Sequence, residues 1–252
     1  MDPTLRAQLF FALLLFGIAC FVLRSVVTKE FTLPQWCLWV SCVFITRVLW
    51  CVRIPKLDIA TRDRGVVFVA NHRSSIDPFY FQSRLFFPMH WMVAREYCEH
   101  PAFRWFLKQC EVIPVNRSGA DIRSTKAAIQ LAQQGGAVGI FPEGRINTTD
   151  RLMLPVRPGV VLTALRANAL IIPCHIDGSP YDKTAWSPFF MAARVRVRVG
   201  TPIDLGQIDG KGFKQEEAGK CMREIVRQIA LLANQPNFEP QLAGRRWKPE
   251  KS

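Results

Sequence analysis

The sequence predicts an α/β fold, a single largely parallel sheet flanked by helices, preceded by an N-terminal element of two apolar helices. Three observations carry this expectation. Beyond Arg53, short β-branched runs alternate with longer stretches of helical periodicity, the pattern of a sheet covered on both faces. Ahead of Arg53 lie two long stretches without charge. Several strand-like runs pass directly into polar loops, and in such sheets ligands gather at the carboxyl ends of the strands.

No residue between Arg6 and Arg24 is charged, and "LFFALLLFGIACFVL" within that gap is almost wholly apolar. "FTLPQWCLWVSCVFIT", from Phe31 to Thr46, is uncharged as well. A spanning helix needs about 20 apolar residues to cross about 30 Å of hydrocarbon, so these short stretches either span a thin bilayer or lie as a hairpin in one leaflet. A pair of ordinary core helices is the alternative. "LRSVVTKEF" follows the first stretch where a signal peptide would carry a small-residue cleavage site, which argues against secretion. Thr28 to Glu30 with Pro34 suits a hairpin corner, and Trp36, Trp39 and Trp50 suit the headgroup level of a membrane.

The chain is accordingly divided into a membrane-associated hairpin over residues 1–53, an α/β domain over 54–233, and an extended tail over 234–252 that is polar and carries three prolines. Within the domain, "GVVFVA" from Gly65, "HWMVA" from His90, "EVIPV" from Glu111, "GAVGIF" from Gly136, "ALIIPCHI" from Ala169 and "RVRVRVG" from Arg194 are expected as strands. Phe213 to Leu232 is the clearest helix, with Ala218, Met222, Ile225, Val226, Ile229 and Leu232 returning on one face; Asp121 to Ala132 is another.

Lys and Arg number 33 against 20 acidic residues, a formal charge of +13, so an anionic partner is implied: phosphate, nucleic acid or an acidic membrane surface. Nucleic acid is disfavoured because the aromatic residues concentrate in apolar segments and do not interleave with basic ones. In "RVRVRVG", Arg194, Arg196 and Arg198 share one strand face, expected to be solvated; with Arg47, Arg53, Lys56, Arg62 and Arg64 they would draw the molecule to anionic headgroups. Eight cysteines without a Cys-x-x-Cys pair point to reduced thiols in a cytosolic compartment, and no Cys/His cluster has the spacing of a metal site. Together with the apolar hairpin this suggests the cytoplasmic face of a membrane.

"VVFVANHRSSIDPF" runs a strand into a loop carrying His72 and Asp77. Residues five apart do not stack on a helix, so the loop itself must bring them together. Asp77 then fixes the imidazole tautomer and leaves the second ring nitrogen free to take a proton; alternatively it only caps the helix that follows. "VIPVNR", ending at Arg117, and "GIFPEGRINT", with Glu143, Gly144 and Arg145, are also strands opening into loops. If these strands neighbour each other in parallel, Arg117 and Arg145 emerge beside His72 as two guanidinium forks suited to a phosphate, with Gly144 letting backbone approach the ligand. Glu143 would orient an arginine or meet a substrate hydroxyl, or form a surface ion pair. "ALIIPCHIDGS" contributes Pro173 and His175 as cleft wall or core.

Four ordered blocks, "NHRSSID", "VIPVNR", "FPEGR" and "LIIPCHI", resemble those of the glycerolipid acyltransferases, the lysophosphatidic acid acyltransferase family, over Val66 to roughly Ile203. The resemblance implies transfer of an acyl chain from a thioester, on acyl-CoA or acyl carrier protein as co-substrate, to a free hydroxyl of a lysophospholipid, with no further cofactor. It implies His72 as general base, Asp77 as its partner, Arg117, Glu143, Gly144 and Arg145 at the glycerophosphate, and Pro173 on the acyl-donor side. Backbone N–H groups after His72 are candidates for stabilising the oxyanion. Two departures bear on the acceptor: Cys110 and Glu111 stand near where the family carries a glycine, and Arg145 follows Gly144 directly. "FPEGRI" also resembles enzymes that reacylate lysophosphatidylethanolamine. A thioester hydrolase and a non-catalytic anionic-lipid-binding protein are the other readings of the same residues.

Overall fold

The computed structural model describes residues 31–57, 64–116, 121–206 and 215–244, with scattered positions before residue 31. The first apolar stretch therefore lies largely outside the described residues. The second forms helix α1, Leu33–Val48. Its start is fixed by a capping box, in which Thr32 Oγ1 accepts from the Gln35 N–H while Gln35 Oε1 accepts from the Thr32 N–H. Among the described residues no helix is long and apolar enough to cross a membrane. One face of α1 is buried at Gln35, Cys42 and Thr46, and Gln35 Nε2 donates to Gln109 O and Glu111 Oε1 on the domain. The opposite face leaves Leu33, Val40, Phe44 and Val48 exposed.

All six expected strands form: β1 (Val66–Ala70), β2 (Met89–Ala94), β3 (Ile113–Val115), β4 (Ala137–Ile140), β5 (Leu170–Asp177) and β6 (Arg196–Val199). They make one sheet in the order β3-β2-β4-β1-β5-β6, parallel throughout except for β6, which runs antiparallel to β5. The helices between them are α2 (Asp77–Gln82), α3 (Arg95–Glu99), α4 (Pro101–Gln109), α5 (Ile122–Gln133), α6 (Gly159–Ala167) and α7 (Gln215–Leu232). Of the strands before Arg117 and Arg145, whose adjacency to the His72 strand was only a condition, β4 neighbours β1, whereas β3 lies at the sheet edge, beyond β2.

β1 reads as an unbroken apolar run because both its faces are covered. Val67 and Val69 enter a core with Ala128, Val160 and Ile225 from α5, α6 and α7, whereas Val66 and Phe68 enter a second core with Trp50, Tyr80 and Phe81. On α7, Ala218, Met222, Ile225, Val226 and Ile229 are buried, as their spacing predicts. Arg198 departs from the solvated face expected for it: its Nη1 donates to Leu232 O at 2.8 Å, placing a cation at the carboxyl end of α7. Beyond that helix the chain turns back, and Val156 N donates to Gln241 O while Ala243 N donates to Val156 O, so this part of the tail lies extended against the domain.

Candidate active site

At the end of β1, the Asn71 side chain continues the ladder that the backbone can no longer make. Its Nδ2 donates to Ile176 O at 2.9 Å and its Oδ1 accepts from Ile176 N at 2.7 Å. His72 follows at a fixed height above the sheet. Its backbone N–H donates to Glu143 Oε1 and its carbonyl accepts from Asn147 N, each at 2.7 Å.

The His72 ring lies flat on Phe141, with centroids 4.0 Å apart, and Phe141 in turn stacks on Trp91 at 4.5 Å. Trp91 has room to lie across the sheet because position 139 is glycine; a Cβ there would come within 2.4 Å of the indole. Nδ1 faces Asp77 Oδ2 at 3.0 Å, and Nε2 has no hydrogen-bond partner among the described residues.

Asp77 does not cap the helix it begins. The N-cap of α2 is Ile76 without a side-chain bond, and the Asp77 carboxylate turns back into the preceding loop. Oδ2 accepts from the N–H groups of Arg73 and Ser74 at 2.6 and 2.8 Å as well as facing His72. Oδ1 accepts from Ser179 Oγ at 2.6 Å. The Arg73 and Ser74 N–H groups are therefore committed to Asp77 and are not free for an oxyanion; Ser75, which lines the adjacent cavity, is the position in this loop whose N–H makes no bond among the described residues.

Glu143 is buried and forms no surface ion pair. Its second oxygen accepts from Leu154 N at 2.7 Å, so the side chain braces the His72 loop against the segment ahead of α6 while lining the cavity beside it. Burial pushes its carboxyl up to about 8, against the pull of the two backbone donors and of Arg73. Gly144 has a φ of +69°, a conformation in which glycine is unstrained, and an added Cβ would meet open space. Arg145, partly exposed, lines the cavity and has no partner among the described residues; Arg117 lies outside them.

Pro173 does not reach this cavity. It is buried in β5 opposite Val69, with its ring against Gly200. The β5–β6 register slips by one residue between Cys174↔Val199 and Ile171↔Ile203, and at that bulge a missing N–H costs no ladder bond. His175 is likewise core: burial lowers its imidazole to about 4, and it faces Arg198.

The cavity has a volume of about 1160 Å³ and crosses the carboxyl ends of β2, β3 and β4. Toward α1 and α4 it is walled by Trp39, Phe79, Phe103 and Phe106; toward α5 and α6 it presents Lys126, Arg145, Arg157 and Arg166. His72 is among the residues that line it. Sequence inspection missed Lys126, Arg157 and Arg166, which lie on ordinary helical or loop segments with no motif to single them out.

Residues 51–177 match the family model described as Acyltransferase. Over 178 residues the chain is 26% identical to the 1-acyl-sn-glycerol-3-phosphate acyltransferase of Bacillus subtilis (strain 168), covering 70% of this chain and 85% of that one. It is 28% identical over 169 residues to the protein of the same name from Pseudomonas aeruginosa, with 64% and 63% covered. Its fold is similar to the crystal structure of the 1-acyl-sn-glycerophosphate (LPA) acyltransferase, PlsC, from Thermotoga maritima, with a TM-score of 0.58 at 20% identity over 86% of this chain and 89% of that one. The family match takes in the loops of His72, Asp77 and Glu143 to Arg145, and the chain belongs to the acyltransferase family.

Proposed function

We propose that this acyltransferase moves a fatty acyl chain from a thioester, on coenzyme A or acyl carrier protein, to the free hydroxyl of 1-acylglycerol 3-phosphate, giving phosphatidic acid. The observation that carries the proposal is an imidazole fixed through Nδ1 to a buried carboxylate, with Nε2 free at a cavity that is apolar at one end and cationic at the other. A lysophospholipid has that same division, an acyl chain and a phosphate. The names of the curated relatives support the same acceptor.

In this scheme Nδ1 keeps its proton and donates it as a hydrogen bond to Asp77, while Nε2 removes the proton of the acceptor hydroxyl as its oxygen attacks the thioester carbonyl. The tetrahedral oxyanion then collapses, the C–S bond breaks, and the thiolate takes the proton back from the imidazolium. An ester and a free thiol result, and no covalent enzyme intermediate is needed. Ser75 N–H is the oxyanion donor the loop leaves available. Arg145, Arg157 and the amino end of α6, at Gly159 and Val160, supply positive potential for the phosphate. The exposed apolar stripe of α1 supports docking against a membrane, from which the lysolipid would enter.

The test is a panel of lysophosphatidic acid, lysophosphatidylethanolamine and glycerol 3-phosphate with both thioester carriers, read by product mass, for the native enzyme and a folded His72→Ala variant. Phosphatidic acid from the native enzyme, with a loss of about 10²- to 10⁴-fold in the variant, is expected. Unimpaired turnover without His72 overturns the assignment of the base. Transfer only to lysophosphatidylethanolamine moves the acceptor, and release of free fatty acid makes the protein a hydrolase.

A further inference from the structure

Behind Asp77 the chain builds a second layer that the acyl-transfer scheme does not use. Asp77 Oδ1 accepts from Ser179 Oγ at 2.6 Å, and Ser179 Oγ lies 2.7 Å from Tyr80 Oη. Asp77 and Tyr80 are both fully buried. They share one face of α2, being three residues apart on the helix. Ser179 arrives from the far side of the sheet centre, just past the end of β5. It is aimed by Gly178, whose φ is +73° and whose added Cβ would stand 2.4 Å from Arg194 O.

Because a carboxylate can only accept, the proton order in this chain is fixed. Ser179 must give its hydroxyl proton to Asp77, which leaves its own lone pairs to receive the Tyr80 proton. Burial and the charge of Asp77 push the Tyr80 phenol upward, so it remains a donor at working pH. The sequence runs in one direction, from Tyr80 to Ser179 to Asp77, and ends with His72 donating from Nδ1 to the opposite carboxylate oxygen.

The geometry points to Ser179 and Tyr80 as positioning residues for acyl transfer: a hydroxyl relay that orients Asp77 and tempers its basicity, so that His72 keeps an unprotonated Nε2 toward the acceptor hydroxyl. The inference rests on the reading of His72 as general base. Its sign follows from charge stabilisation. Each hydrogen bond donated to the carboxylate spreads its charge and weakens its hold on an imidazolium; removing one strengthens that hold, and the base is lost to protonation at a higher pH. Among the described residues, Glu143 also reaches the pair, at the His72 backbone, and Arg73 lies in the same loop. Both remain in every variant below, so they are common to the profiles compared.

The experiment measures kcat against pH, with KM for lysophosphatidic acid, for the full-length native enzyme and for Ser179→Ala, Ser179→Thr, Tyr80→Phe and His72→Ala. In Ser179→Ala the acid limb of the profile is expected to move up by about half a pH unit, and kcat at neutral pH to fall about tenfold, with KM within about twofold. Ser179→Thr restores both, since it keeps the hydroxyl, and Tyr80→Phe shifts the limb in the same direction by less. A merely structural Ser179 would lower activity evenly across pH and leave the limb in place, and that result overturns the relay. Tyr80→Phe keeps the buried ring and carries the same readout if Ser179→Ala does not fold. An inactive His72→Ala beside unshifted Ser179 and Tyr80 profiles sinks the relay alone, whereas full activity in His72→Ala sinks the base assignment and the relay with it.

Discussion

His72 is gripped at its backbone N–H, its carbonyl, its ring face and Nδ1, so that only Nε2 is left uncommitted. Glu143 supplies the first of these contacts and makes stability depend on pH. Its folded carboxyl holds a proton up to about 8, whereas an unfolded one releases it near its ordinary 4.5. Between those values the folded state binds the extra proton, so this contribution is complete below the unfolded value and is lost as pH rises through the folded one. Glu143→Gln is expected to flatten that slope and to cost about 1–3 kcal/mol at every pH, because one backbone donor then faces an amide N–H₂; urea midpoints at pH 5 and pH 8 for both proteins check this. The pair His72 and Asp77 was legible in the sequence because its spacing and the preceding strand are local. Asn71, Phe141 and Ser179 were not, since each acts through a partner supplied by a distant element, as Ser179 does at 102 residues from Asp77. For Pro173 the residues themselves left cleft wall and core open, and the resemblance suggested the acyl-donor side; the β5–β6 bulge explains why a proline sits in the buried strand.

At the scale of elements, β4 positions the His72 imidazole as much as β1 does. Gly139 admits Trp91, Trp91 supports Phe141, and Phe141 supports the imidazole. Gly139→Ala forces the indole aside and tilts the stack. A folded variant with kcat lowered about a hundredfold is expected, checked by steady-state kinetics beside near-ultraviolet circular dichroism, because a displacement of about 1 Å at a catalytic group has that effect. The strands themselves were readable from apolar runs broken by polar loops. Helix α5 was readable as well, where Asp121 accepts from the N–H groups of Arg123 and Ser124 as an N-cap residue should. Strand order was not drawn from the sequence, although the exposed Pro114 inside β3 is a residue that only an edge strand or a bulge tolerates, and so the relation of the Arg117 and Arg145 loops to His72 was left conditional.

For the molecule as a whole, Trp50 ties the end of α1 to the domain. It is fully buried, packs edge-on against Phe79, Tyr80 and Phe189, and donates from Nε1 to Pro188 O at 3.0 Å. Trp50→Ala should cost about 3–5 kcal/mol in urea unfolding, and loosen the 185–190 segment, whose Trp186 and Phe189 wall the cavity, as read by hydrogen exchange there. The division at Arg53, drawn where composition changes, thus falls in chain that pairs with β6 through Arg53 and Arg196. The sheet order carries a consequence for biosynthesis. β1, which leads into His72, pairs only with β4 and β5, so it has no partner until residues past Ala137 have left the ribosome, and Asp77 has no Ser179 until later still. His72 and Asp77 thus emerge from the ribosome well before the strands and the hydroxyl that hold them in place, and their geometry is set only when β4, β5 and Ser179 have joined β1 and α2.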